Sequence, residues 1–208
     1  MGKLLIARHG ETDWNSQGRI QGHSDIKLSE QGVQQARLLG ERLLSVAVDA
    51  AYCSDLLRAS ETAEISLEGR DVPLYRTPLL REYHKGAFEG LTNQQIQERH
   101  PTQYPNYLTK DLDFAPEGGE STREVSVRAS GIITEIKNRH IDDTVLVVGH
   151  GGSLRAAMVS LLALPLEANW RFFFANCALT IVETYPDNAV LRLFNDSSHL
   201  LNGLGPAP

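Results

Sequence analysis

The sequence predicts an α/β fold with three layers, α/β/α, around a largely parallel central sheet. Three observations carry this. Short apolar runs alternate with segments whose apolar residues recur at helical spacing, the pattern of a βαβ chain. The run at residues 144–148, Thr-Val-Leu-Val-Val, is almost wholly apolar and rich in β-branching, as suits a strand buried on both faces. At 208 residues one core can bury roughly 70% of the unfolded surface, so one domain over residues 1–208 is expected.

Residues 4–7, Leu-Leu-Ile-Ala, give the first strand. Ser29 is placed to cap a helix with apolar positions Val33, Ala36, Leu39, Leu43 and Val46. Residues 50–53 form a second strand, and a helix from about Asp55 carries Arg58 in its first turn. A third strand is expected at 72–75. The alternation then breaks over about 79–117, a polar stretch with Tyr83, Phe88, Tyr104, Tyr107 and Phe114. It reads as a mostly helical insertion covering one edge of the sheet, the plainer alternative being a solvated excursion anchored by its aromatics. Ser121 and Glu124 make a capping box for a helix with Val125, Ala129, Ile132, Ile133 and Ile136 on one stripe. A helix from about Leu154 follows the strand at 144–148. Residues 178–185 and 189–195 form a hairpin around Pro186-Asp187-Asn188. Residues 205–208 read as a frayed tail.

Composition excludes several classes. The net charge is -6, and no basic run suits nucleic acid or anionic lipid. An acidic chain that handles an anion must concentrate positive charge locally. Cys53 and Cys177 lie in apolar segments without metal-ligand spacing, so buried thiols in a reducing compartment are expected. No stretch reaches membrane-spanning length and the N-terminus lacks a signal-type apolar region, which implies a cytoplasmic protein with no membrane partner. No Asp/Glu/His cluster has ligand spacing, so no metal is expected. The apolar hairpin edge offers a surface that can pair across a homodimer or be covered.

Two strands each end in a histidine followed by glycine: Arg8-His9-Gly10, and Gly149-His150-Gly151-Gly152. In one parallel sheet both imidazoles leave the same edge, where ligands of open α/β sheets bind. The arginine fork donates in pairs to phosphate, and neutral imidazole can accept a phosphoryl group. The helix after Gly151 adds N–H groups and a positive dipole end, and Arg58 can reach the same anion. A lone turn histidine would be ordinary; two histidines and two arginines converging describe a phosphate pocket.

Arg8-His9-Gly10-Glu11-Thr12 with Trp14-Asn15 resembles the signature of the histidine phosphatase superfamily, the phosphoglycerate mutase-like family. Gln21-Gly22, Leu28-Ser29-Glu30-Gln31-Gly32, the arginine segment from Ser54 to Ala63, the acid-bearing loop Leu80-Arg81-Glu82-Tyr83-His84, Gly118-Gly119-Glu120-Ser121 and the second histidine motif follow in the family's order. The nearest branch is that of small broad-specificity and α-ribazole phosphatases. The resemblance implies a phosphomonoesterase acting on small phosphorylated metabolites, with no cofactor. It makes His9 the nucleophile, with Arg8, Arg58 and His150 stabilising the transferring group. Asn15, Gln21, Gly22 and Gly151 would hold the phosphate. Glu82 would be the general acid and then base, with Glu89 and Glu11 as substitutes; its plainer reading is a surface carboxylate paired with Arg81 or Lys85. His84, and less firmly His199, would line the substrate entrance, whereas His23, His100 and His140 read as solvated. Nearby arginines should lower the His9 pKa and a shielded pocket should raise that of Glu82. The alternative is a cofactor-dependent phosphoglycerate mutase. Residues 91–117 carry only Arg99 and Lys110 as fixed cations, too few for the bisphosphate grip that family's mutases use. A non-catalytic phosphate-binding module would have lost a core residue, and none is missing.

Overall fold

The computed structural model describes residues 1–200; the tail at 205–208 lies outside the described residues. One six-stranded sheet has the order β3-β2-β4-β1-β5-β6. Its strands are β1 (Gly2–Arg8), β2 (Ala50–Ser54), β3 (Leu74–Thr77), β4 (Thr144–Gly149), β5 (Leu179–Tyr185) and β6 (Asn188–Asp196). β1 to β4 are mutually parallel, and the β5–β6 hairpin adds antiparallel strands beside β1. β6 is therefore an edge strand, as the hairpin reading requires.

Alternation along β1 divides the core between two faces. Leu5 and Ala7 join Leu146 and Val148 against Leu39 and Leu43 of α2 (Glu30–Leu43) and Ala59 and Ala63 of α3 (Leu57–Ser66). Leu4 and Ile6 join Val145 and Val147 against Ile132, Ile133 and Ile136 of α6 (Thr122–Arg139) and Leu154 and Met158 of α7 (Gly151–Leu161). Helices thus cover both faces, as the three-layer reading expected. Cys53 and Cys177 are buried free thiols, and burial pushes Cys53 up to about 12.

Four details depart from the sequence reading. β3 starts two residues later than expected, at Leu74, because Pro73 can only accept: its carbonyl takes the Ala51 N–H. α3 starts at Leu57, whose N–H donates to the Asp25 carboxylate across the structure. α7 starts at Gly151, with Ser153 Oγ accepting the His150 N–H. The excursion over 79–117 is not mostly helical. It holds α4 (Asn93–Arg99) and α5 (Tyr104–Leu108), two single 3₁₀ turns and otherwise loop. Carboxylates capture its N–H groups: Glu89 takes that of Lys85, and Glu120 that of His84. The short helix preceding α2, α1 (Asp13–Ser16), is closed by a capping box between Thr12 and Asn15.

The Ser121–Glu124 capping box at the start of α6 is present, with the Ser121 hydroxyl accepting the Glu124 N–H. Ser121→Ala should destabilise the protein by about 1 kcal/mol. Urea titration should show a lower midpoint with an unchanged slope; an unmoved midpoint would mean that packing alone fixes this helix end.

Candidate active site

The parallel register pairs Arg8 with Gly149, and the His9 N–H continues the ladder to the Gly149 carbonyl at 2.9 Å. His9 and His150 therefore leave adjacent strand ends side by side, their ring centroids 5.0 Å apart. After β1 the chain runs to α2 on one face, and after β4 to α7 on the other. That divergence opens a crevice at the sheet's carboxyl edge. A cavity of about 480 Å³ fills it. Of the residues expected from sequence, Arg8, His9, Asn15, Gln21, Gly22, Arg58, Glu82 and Gly151 line this cavity. His150 is fully buried against His9, behind the open wall.

Nδ1 of His9 lies 2.6 Å from the Gly10 carbonyl, which can only accept, so Nδ1 carries the hydrogen and Nε2 keeps its lone pair. Burial, then the charges of Arg58 and Arg8, hold His9 well below the usual imidazole range. The same burial and arginines, with His9 itself, hold His150 low. Arg58 is completely buried and donates to the Ser24 and Gly22 carbonyls at 2.9 and 2.7 Å. Desolvation pulls its pKa down to about 10, so it stays charged at neutral pH. The Gly22 turn that presents this carbonyl has a positive φ of 55°, which glycine adopts without strain. Arg8 donates to the Phe174 carbonyl at 2.9 Å. Nε of both arginines, both ring nitrogens of His150 and Oε1 of Gln21 are buried with no partner. Buried polar atoms are rarely left so in a folded chain unless something else completes them.

Glu82 accepts from the Tyr83 N–H at 2.9 Å and the Gly152 N–H at 3.0 Å. Here the expectation from sequence fails. Burial does push the Glu82 carboxyl upward, but the Gly152 N–H, the Lys85 charge, the Tyr83 N–H and Arg8 outweigh it and hold the carboxyl below its usual range. Glu82 is no surface carboxylate: Arg81 pairs with Asp55 instead, at 2.6 Å. Glu89 is spent on the N–H groups of His23, Ser24 and Lys85, and neither Glu89 nor Glu11 lines the cavity.

The other histidines are less exposed than expected. His23 donates from Nε2 to the Glu82 carbonyl at 2.9 Å, and His140 sits between the Tyr52 hydroxyl and Asp143. His100 packs on Phe88. His84 does not line the cavity; its ring stands against His23, near Glu89. His199 lies outside it too, with Nε2 donating to the Cys177 carbonyl at 3.0 Å.

The model of the histidine phosphatase superfamily, branch 1, matches residues 4–197. The chain belongs to this superfamily. It is 31% identical over 200 residues to phosphoserine phosphatase 1 of Hydrogenobacter thermophilus, covering 96% of this chain and 95% of that one. It is 35% identical over 157 residues to phosphoglycerate mutase-like protein 4 of Arabidopsis thaliana, covering 74% of this chain and 68% of that one. The solved structure of Bacillus stearothermophilus YhfR superposes with a TM-score of 0.89 at 36% identity, over 96% of this chain and all of that one.

This histidine phosphatase also gathers residues the sequence reading passed over. Arg155 lies one helical turn beyond Gly151, so i,i+4 spacing could have flagged it. Lys85, Arg19 and Trp170 share the wall with it: Lys85 comes from a loop, Arg19 from an isolated bridge to Thr92, and Trp170 from the 3₁₀ helix Leu166–Arg171. Residues 91–117 are poor in cations, but the cavity is not, since Lys85, earlier in the insertion, and Arg155 also line it. Arg128 is a second omission. It donates to the Arg81 and Glu82 carbonyls at 2.7 Å each and pairs with Glu120, fixing the acid-bearing loop from behind. No group of three or more His, Cys, Asp or Glu among the described residues could hold a metal ion.

A Cβ added at Gly152 would collide with the Glu82 carboxylate and the Tyr83 ring. Gly152→Ala should therefore cut kcat on an alkyl phosphate by about 100-fold or more, with a much smaller effect on thermal stability. A variant with wild-type turnover would show that the Gly152–Glu82 contact is dispensable.

Proposed function

We propose that this histidine phosphatase hydrolyses small phosphorylated metabolites through a phosphohistidine on His9, without a metal. The observation that carries the reading is the state of His9: neutral, its Nδ1–H tied to Gly10, its Nε2 lone pair beside two arginines. Nε2 attacks phosphorus in line with the ester oxygen. The P–O bond breaks as the P–N bond forms. Arg8, Arg58 and an N–H of His150 hold the equatorial oxygens, with Asn15, Gln21 and the Gly22 and Gly151 backbone around them. The two guanidinium groups supply the charge that a divalent cation supplies in metal-dependent phosphatases. Glu82 passes its proton to the leaving alkoxide. Water then attacks the phosphohistidine, Glu82 takes its proton, and inorganic phosphate and free His9 result.

The low pKa of Glu82 in the free protein raises the question of how it comes to hold a proton. A bound phosphate dianion answers it. The dianion neutralises the arginines that favour the carboxylate and sets like charge beside it, so the Glu82 pKa rises on binding. The relative named phosphoserine phosphatase 1 supports hydrolysis as the outcome. The mutase alternative fails if 3-phosphoglycerate, primed with its bisphosphate, releases phosphate faster than it interconverts.

His9→Ala should abolish phosphate release in a protein that melts like the wild type, and dialysis against EDTA should leave the wild-type rate intact. Activity in the variant, or loss to EDTA restored by added metal, would refute the reading.

The pH profile follows from the shifts. His9 must be neutral to attack, and its low pKa carries the acid limb of kcat/KM below the usual imidazole range. Glu82 must be protonated to donate, and its lowered pKa pulls the alkaline limb down as well. kcat/KM on an alkyl phosphate should peak on the acid side of neutrality, while kcat falls at higher pH because Glu82 rises in the complex. Glu82→Gln should cost far more with an alkyl leaving group than with p-nitrophenyl phosphate, whose phenolate needs little protonation. Equal losses on both would remove Glu82 as the acid.

A further inference from the structure

His9 is oriented by backbone, and that backbone is itself held by side chains. Two successive peptide groups are involved. The peptide between Gly10 and Glu11 turns its carbonyl to His9 Nδ1, and its N–H donates to Oε1 of Gln35 at 2.8 Å. The peptide between His9 and Gly10 donates its N–H to the Thr62 hydroxyl at 2.9 Å, and its carbonyl accepts from Nδ2 of Asn176 at 2.8 Å. Every polar atom of the two peptide groups is thus engaged. A peptide N–H can only donate, so the Gln35 atom it meets is the amide oxygen. The Thr62 hydroxyl keeps its own hydrogen for the Arg58 carbonyl, at 2.6 Å.

The three side chains come from separate elements: Gln35 from α2, Thr62 from α3 and Asn176 from the loop before β5. Gln35 and Thr62 are buried, each next in sequence to an alanine of the apolar core, Ala36 and Ala63. α2 reaches Glu11 because Gly10 has no side chain; a Cβ there would collide with the Gly32 backbone. Gln35, the second peptide and the His9 ring form one chain of hydrogen bonds ending at Nδ1–H, and in a buried site such bonds polarise one another. The chain carries no charge. A carboxylate behind Nδ1 would favour the doubly protonated imidazolium. Neutral amides fix the tautomer and leave the ring uncharged.

We propose that Gln35 and Thr62 are positioning residues for phosphoryl transfer: through the peptide groups on either side of Gly10 they hold the Gly10 carbonyl on His9 Nδ1, and so keep the lone pair on Nε2. The proposal rests on the phosphohistidine reading and adds how the nucleophile is kept in its reactive tautomer. Thr62 also ties the turn that bears Arg58 to the backbone of His9, so the attacking atom and the guanidinium that receives the phosphate are set by one hydroxyl.

The test uses p-nitrophenyl phosphate, whose leaving group needs little from Glu82, so that kcat/KM reports attack by His9. Gln35→Met and Thr62→Val should each lower it about 10- to 100-fold, the scale of a misplaced nucleophile. The loss should be the same on an alkyl phosphate, unlike that of Glu82→Gln. Inhibition by inorganic phosphate should stay nearly unchanged, because Arg8 and Arg58 keep the carbonyls that hold their side chains. Thr62→Ser retains the hydroxyl and should recover most of the rate. Nitrogen NMR of the histidine rings, with the His9 signals identified by their loss in His9→Ala, should find the hydrogen on Nδ1 in the wild type and a mixture of tautomers in Gln35→Met. The proposal is overturned if either Gln35→Met or Thr62→Val keeps the wild-type rate, if the rate falls with no change of tautomer, or if phosphate inhibition weakens as much as the rate. A wild-type spectrum with the hydrogen on Nε2 overturns it too, and needs no variant to fold. His9→Ala separates the two failures. If it abolishes hydrolysis while the Gln35 and Thr62 variants keep theirs, only the positioning role falls; if it leaves hydrolysis intact, the phosphohistidine reading falls and the positioning role with it.

Discussion

The parallel pairing of β1 with β4 is the constraint on which the site depends. A slip of one residue in that register would turn each strand's alternate set to the opposite face. Leu4 and Ile6 would exchange places with Leu5 and Ala7, and both halves of the core would be lost. The packing of two layers therefore locks Arg8 opposite Gly149, and with it His9 beside His150. The geometry of the imidazole pair follows from hydrophobic burial at some distance from the chemistry. The crevice between the pair follows from connectivity, since the helices leaving the two strands diverge to opposite faces.

The second constraint is electrostatic. Burying Arg58 removes a full charge from water, a cost that paired or hydrogen-bonded partners must offset. Here the partners are the backbone carbonyls of Gly22 and Ser24, neutral dipoles that stabilise the guanidinium without cancelling its charge. The net positive field survives. Burial first, and this field with it, depress both histidines, so that the imidazole stays neutral in the place where a nucleophile is needed. A carboxylate partner for Arg58 would have stabilised the fold as well and quenched the field. Glu82 departs from its expected direction through more local contacts: desolvation favours its neutral form, but the Gly152 N–H, the Lys85 charge, the Tyr83 N–H and Arg8 favour the anion more.

Much of this was legible in the sequence wherever information is local. The capping serines, the apolar stripes of α2 and α6, the β-branched run of β4 and the two histidine-glycine turns are patterns within a few residues, and short-range sterics and burial decide them. The family resemblance supplied Glu82 and Arg58. What stayed hidden depends on contacts between distant segments. Helix α3 is capped by Asp25, more than thirty residues away in sequence, because Leu56 has no side chain able to do so. The pKa of Glu82 depends on the Gly152 N–H, 70 residues away in sequence. His140 looked solvated beside charged neighbours, yet Tyr52 of β2 reaches it at the end of α6. The excursion over 79–117 misled for a related reason: its polar residues bond to backbone in preference to forming helices.

That polar excursion also accounts for how an element with little apolar core can hold an acid accurately. Glu89 gathers the N–H groups of His23, Ser24 and Lys85, joining the loop whose carbonyls hold Arg58 to the loop that bears Glu82. Glu120 and Arg128 clamp the same segment from the other side, through the Arg81 and Glu82 carbonyls. Apolar packing would position these loops only to the tolerance of side-chain shape. Charge-assisted hydrogen bonds fix direction as well as distance, and proton transfer to a leaving oxygen is sensitive to both. The insertion therefore acts as a carboxylate-stapled frame, in which Glu89 and Glu120 are positioning residues: Glu120 lines the cavity too but is held by Arg128, whereas Glu82 has no arginine paired to it among the described residues.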